Sequence, residues 1–151
     1  MKYLKSMFEE IESYKFQIIS DNPQLVRYSF IDLKFNNYLV EFKNIVVNKK
    51  GVLSTTYELA YYVEENGQFT VSKIVNVNIY SILKTVFGEI LNDFIKKHSW
   101  VKTIFFIGLS KDRERDYVSA RTRVYMRYLN RNPIPGFRIS QIGNTIKLIR
   151  T

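Results

Sequence analysis

The sequence predicts a single α+β domain in which helices pack on one sheet, and three observations carry that expectation. At 151 residues the chain has the length of one domain, and 46% hydrophobic residues supply the apolar surface for a core. Alternating or β-branched runs separated by turn residues fill the first half. The hydrophobic period then lengthens to that of helices, interrupted by one short apolar run.

Leu4, Met7, Phe8 and Ile11 fall at helical spacing, so residues 3–13 read as a short amphipathic N-terminal helix. The turn signals "DNPQ", "FNN", "NKKG" and "ENGQ" then divide the runs "KFQIIS", "LVRYSFIDL", "NYLVEFKNIVV", "VLSTTYELAYYVEE" and "FTVSKIVN". Five consecutive antiparallel strands, a meander, is their simplest assembly. Over 78–97 the residues Ile79, Leu83, Val86, Phe87, Ile90, Leu91 and Phe94 share one helical arc, with Asn78 placed to cap its start. Lys96, Lys97 and His98 suit its negative C-terminal end. "TIFFIGL" is continuously apolar, the pattern of a strand covered on both faces. A second helix is expected from about 111 to 131, capped by Ser110 or Asp112 and ended by "NPIPG". "FRISQ" and "TIKLIR" around "IGN" close the chain as a β-hairpin.

Several chemistries are excluded by residue type. There is no cysteine, which removes disulfides, thiolate nucleophiles and cysteine-ligated zinc. No P-loop or G-x-G-x-x-G is present, and no cofactor or metal is expected. His98, the single histidine, reads as a helix cap rather than a base, and Trp100 as core or interface packing. The N-terminal stretch has no apolar run beyond two residues, unlike a signal peptide, and no run reaches membrane-spanning length. The expected setting is the cytoplasm of a host cell, or a virion, without membrane contact. A net charge of +9 points to an acidic partner, either nucleic acid or an acidic protein surface, with self-association also open.

The arginines are the most specific signal. Seven of the nine lie between Arg113 and Arg138, whereas lysines are spread along the chain. On a helical wheel Tyr117, Val124, Tyr128, Tyr125, Val118 and Leu129 share an apolar face. Arg121 falls inside that face, while Arg123, Arg127 and Arg131 line one flank. A guanidinium keeps its charge, so Arg121 requires either a carboxylate (Glu89, Asp93 or Asp116) or a bound anion. The flank, with Arg138, suits phosphates, because arginine's planar fork engages them through two bonds. Tyr117, Tyr125 and Tyr128 would supply packing or stacking beside it.

The strand ending in Gly108, then Ser110 and "ARTRVY", resembles a motif of uncharacterised small proteins of Bacteroidota and their phages, over about residues 104–131. That resemblance implies a phage or mobile-element origin, with Arg121, Thr122, Arg123 and Tyr125 as motif positions. "KDRERDYV" departs from it as an insertion. Asp32 with Glu41-x-Lys43 resembles the D…(D/E)-x-K arrangement of restriction-type nucleases, in which two carboxylates hold Mg²⁺ and a lysine serves the water. The second half also resembles the acetyl-CoA-binding half of GNAT acetyltransferases in element order. It has "VNVNIYSIL" where that family carries a glycine-rich loop. The first expectation is a non-enzymatic binding protein for an anionic partner, most simply nucleic acid. The alternatives are a virion or adaptor component, with "YELAYYVEE" as interface strand, and the nuclease.

Overall fold

In the computed structural model, which describes residues 12–45, 52–71, 75–108 and 118–151, short connections organise the first half. β1 (Phe16–Asn22) meets β2 (Leu25–Ile31) across Pro23 and Gln24, and β3 (Asn37–Asn44), β4 (Thr56–Glu65) and β5 (Gln68–Thr70) follow, each antiparallel to the one before. The expected meander is therefore present. Asn66 and Gly67 join β4 to β5 with φ of 54° and 80°, the left-handed pair that a two-residue type I′ turn needs.

Helix α1 covers residues 79–97. It is α-helical over Ile79–Leu83, π-wound over Lys84–Ile90 and α-helical again over Leu91–Lys97. It leads to β6 (Thr103–Ile107), then α2 (Ala120–Arg131), β7 (Phe137–Ile142) and β8 (Thr145–Arg150). The sheet runs β1-β2-β3-β4-β6-β8-β7, with β5 attached to β4 outside that path. Only the β4–β6 pair is parallel among these neighbours.

Two crossovers, β4 to β6 through α1 and β6 to β7 through α2, advance the same way across the sheet. Right-handed crossovers of that kind place both helices on one face. The contacts agree: the Phe87 ring of α1 lies 5.6 Å from Tyr125 of α2 and 4.9 Å from Phe106 of β6. The opposite face carries Arg27, Glu41, Tyr62, Phe105 and Ile107, and no helix covers it among the described residues. This corrects the reading of "TIFFIGL": Ile104 and Phe106 are buried, but Ile107 is 50% exposed. Continuous apolarity marked a central strand, not double coverage. "YELAYYVEE" forms β4, interior to the sheet, with Tyr62 on the face that no described helix covers.

Aromatic residues make the core. Phe94 of α1 stacks on Phe42 at 3.9 Å and meets Tyr57 edge-on, and Phe30 stacks on Tyr38 at 4.4 Å. Buried phenols need partners. Tyr28 donates to Asp93, Tyr38 to Asp32 and Tyr57 to the Pro23 carbonyl, each at 2.8 Å. Burial first, then the facing carboxylate, pushes the Tyr28 and Tyr38 phenols far up, so both stay neutral.

Asn78 caps α1 by accepting from the Tyr80 N–H at 2.9 Å. His98 ends it, with its N–H and Nδ1 on the Phe94 carbonyl and its ring stacked on Phe94. Trp100 packs edge-on against His98 while 41% exposed. The expected N-terminal helix lies outside the described residues, except Glu12 and Ser13, which are not helical. None of the described helices is long and apolar enough to cross a membrane.

Candidate functional site

The motif residues around α2 divide into three jobs, of which the first is anchorage. Ser119 caps α2: its Oγ accepts from the Thr122 N–H at 3.1 Å and donates to the Gly108 carbonyl. Asn144, in the β7–β8 turn, accepts from the Thr122 hydroxyl at 2.6 Å and from the Ser119 N–H at 2.8 Å. Its own carbonyl accepts from the Gly108 N–H at 2.9 Å. The end of β6, the start of α2 and the last turn are thus tied together by buried Ser119 and Thr122 and half-buried Asn144. Helix α2 starts at Ala120, and this corrects the expected start near 111, because the Ser119 side chain takes the first-turn N–H there. Ser110, Asp112 and Tyr117 lie outside the described residues.

The second job is packing. Tyr125 and Tyr128 are 4% and 7% exposed, and Leu129 is fully buried. The two tyrosines are core elements, which removes them from any stacking role. Gly88 of α1 permits the approach, since a Cβ there would sit 3.3 Å from the Tyr128 hydroxyl.

The third job is left to the arginines. Arg123, Arg127 and Arg131 are exposed and line one open groove of about 530 Å³ with Val118, Met126, Asn130 and Gln141. Arg123 also donates to the Val118 carbonyl at 2.6 Å. Among the described residues no carboxylate pairs with Arg127 or Arg131. Arg138 does not join them. On β7 the residues Phe137, Ile139 and Gln141 pair with the inward Arg150, Leu148 and Ile146, so alternation sends Arg138 to the opposite face.

Arg121 is turned away from the flank, towards a gap in the sheet. The Thr55 carbonyl accepts from Lys102 and Thr103, so odd-numbered residues of β4 aim their main-chain groups at that edge. β6 pairs there with Thr56–Glu58 and β5 with Val63–Glu65, which leaves Tyr61 aimed at the space between them. Two cavities, of about 110 and 260 Å³, share Tyr61, Val71, Arg121 and Tyr125 as lining. Arg121 donates to the Val71 carbonyl at 2.9 Å, and the Tyr61 and Tyr125 hydroxyls bond at 2.9 Å. Burial raises both phenols and the guanidinium partly offsets it, so both hydroxyls stay protonated at physiological pH. Of the expected carboxylate partners, Asp93 is held by Tyr28 and Lys97, Glu89 is exposed on α1 and Asp116 lies outside the described residues. Tyr125→Phe is expected to cost about 1–3 kcal/mol, because it strands the Tyr61 hydroxyl; urea unfolding checks it.

The nuclease arrangement is not assembled. Asp32 lies on the helix side of the sheet and holds the β2–β3 turn, accepting from Lys34 N, Asn36 N, Asn36 Nδ2 and Tyr38 Oη at 2.7–3.0 Å. Glu41 is on the other face, paired with Arg27 at 2.8 Å, and Lys43 stands two residues beyond it. With the carboxylates on opposite faces no ion can bridge them, and no metal-holding cluster occurs among the described residues. Burial raises the Asp32 carboxyl, but its four hydrogen bonds overrule that and its pKa is lowered. Its stabilising contribution is therefore complete above the ordinary aspartate value near ~3.9 and is lost as pH falls through the lower folded value. Acid unfolding should show Asp32→Asn less stable at neutral pH and flatter below pH ~4 than the parent protein.

The fold and site define an α+β protein with a mixed eight-stranded sheet, both described helices on one face, and an arginine-lined helix flank beside a split strand edge. No protein-family model, curated protein or solved structure matches this chain.

Proposed function

We propose that this is a non-enzymatic protein that binds nucleic acid by holding its phosphate backbone on the arginine flank of α2. The observation that carries the reading is the exposed row Arg123, Arg127 and Arg131 along one groove, with no described carboxylate on its last two members. A solvated face needs no particular cation, and elsewhere this chain mostly uses lysine; a phosphate-binding face favours arginine's fork. The net charge of +9 adds long-range attraction. The "ARTRVY" resemblance supports a phage or mobile-element setting, in a host cytoplasm or a virion. Fluorescence anisotropy with short DNA and RNA tests the reading. Binding should fall steeply with salt and weaken in Arg127→Ala with Arg131→Ala. A salt-tolerant oligomer that ignores nucleic acid would instead make the protein a virion or adaptor component.

A second reading is favoured by the gap beside Tyr61. Apart from β5, the connectivity from β4 to β8 resembles in element order the acetyl-CoA-binding half of GNAT acetyltransferases. An elongated ligand with amide groups and an anionic end would meet the Tyr61 main chain and Arg121. The missing glycine-rich loop stands against a cradled pyrophosphate. Calorimetric titration with coenzyme A decides it: micromolar binding supports a ligand-binding cleft, and no heat at millimolar concentration removes it.

A further inference from the structure

We infer that the arginine flank takes double-stranded nucleic acid through its backbone alone, without stacking on bases or reading them. The inference rests on the phosphate-binding reading above and names the form of nucleic acid that the surface fits. Proteins that hold single strands combine a positive groove with aromatic side chains on which bases stack. Here the groove beside the arginines is lined by Val118, Met126, Asn130 and Gln141, none of them aromatic. The aromatics of α2 are spent inward: Tyr125 lies 5.6 Å from Phe87 and 5.8 Å from Phe106, and Tyr128 packs 6.3 Å from Phe87. No stacking platform stands on this flank among the described residues.

Base reading from the major groove is disfavoured by placement. That groove, about 12 Å wide, admits a helix or a two-stranded ribbon. Helix α2 is seated on the sheet by Tyr125, Tyr128 and Leu129, and β7 lies alongside its exposed flank, contributing Gln141 to the same groove. A helix held on a sheet, with a strand residue in its groove, presents a broader surface than the lone helix or ribbon that the major groove admits. What remains accessible is the ridge of phosphates.

The spacing of the row suits that ridge. Steps of four residues advance the arginine Cα positions about 6 Å each along the helix, so the three span roughly 12 Å. A duplex presents phosphates in a fixed lattice at high density, whereas a flexible strand must be ordered to match a rigid row. If the three arginines each neutralise one phosphate, the slope of log affinity against log salt is about −2.7 for a duplex and about −2.1 for a single strand.

The test is anisotropy of fluorescein-labelled 20-base-pair duplexes of two unrelated DNA sequences, the matching RNA duplex, and oligo-dT of equal length, across a salt series. The expected result is similar affinity for both DNA duplexes and for the RNA duplex. Oligo-dT should bind several-fold more weakly, and the duplex salt slope should lie near −2.7. Arg127→Ala should reduce that slope by about 0.9, while Arg127→Lys keeps it. Circular dichroism confirms that both variants are folded. Equal or tighter binding of oligo-dT, or a tenfold preference for one duplex sequence, overturns the inference while leaving phosphate binding intact. Failure of every probe at the lowest salt removes the phosphate reading itself, and this inference with it.

Discussion

Gly108→Ala is expected to destabilise the protein by about 3 kcal/mol, the upper end of the cost of overpacking a tight contact. For a chain of this size that lowers the thermal midpoint by roughly 6–12 °C. Gly108 ends in direct contact with the first turn of α2. An added Cβ would collide with the Thr122 hydroxyl and stand 2.9 Å from both Thr122 Cα and N. The hydroxyl could be removed, but the backbone cannot move without disturbing the Ser119 cap and the Asn144 hydrogen bonds. Gly108→Ala should therefore remain costly when combined with Thr122→Ala, a result that scanning calorimetry can read directly. Because the same turn positions Arg121, Arg123 and Arg127, salt-dependent binding should weaken together with stability. Full stability in the single variant would mean that the turn is looser than these contacts.

Phe94→Ala is expected to cost about 3–5 kcal/mol, the range for truncating a buried aromatic ring. The ring is fully buried, stacked on Phe42 and edge-on to Tyr57, and its other side supports the His98 ring that closes α1. Removing it opens a cavity where helix meets sheet and leaves the helix end without its packing partner. Phe94→Leu should cost far less, since most of the volume stays filled. Denaturant unfolding separates the two variants. The test is informative about function too: the Phe94 ring packs on Phe42, Tyr57 and His98, so anisotropy measured well below the midpoint should be unchanged.

The local elements were largely legible. The turn signals "DNPQ", "FNN" and "ENGQ" and the alternation of the first half correspond to β1–β5, although the run "FTVSKIVN" gives only the short β5 and "NKKG" lies outside the described residues. The arc from Leu83 to Phe94 corresponds to α1 with its Asn78 and His98 ends. The arginine flank was also legible, because a 100° period places Arg123, Arg127 and Arg131 together whatever the helix packs on. The start of α2 was misjudged. Ser110, Asp112 and Ser119 are all plausible caps, and the choice depends on Gly108 and Asn144 reaching Ser119 from elsewhere in the chain. The π winding of Lys84–Ile90 within α1 gave no signal in the sequence.

The nuclease pattern shows the same boundary from the other side. Asp32 and Glu41 have a meaningful spacing in sequence, but register and alternation put them on opposite faces, where each already has a structural partner. By itself the sequence determined those features that depend on neighbours along the chain: element type, helix faces, turn chemistry and the charge pattern of α2. Tertiary structure alone decided which tyrosines are spent in the core, where Arg121 points, which face receives Arg138, and that β4 keeps a gap between β5 and β6. These depend on strands and helices distant in sequence meeting in one register, and no local period records that meeting.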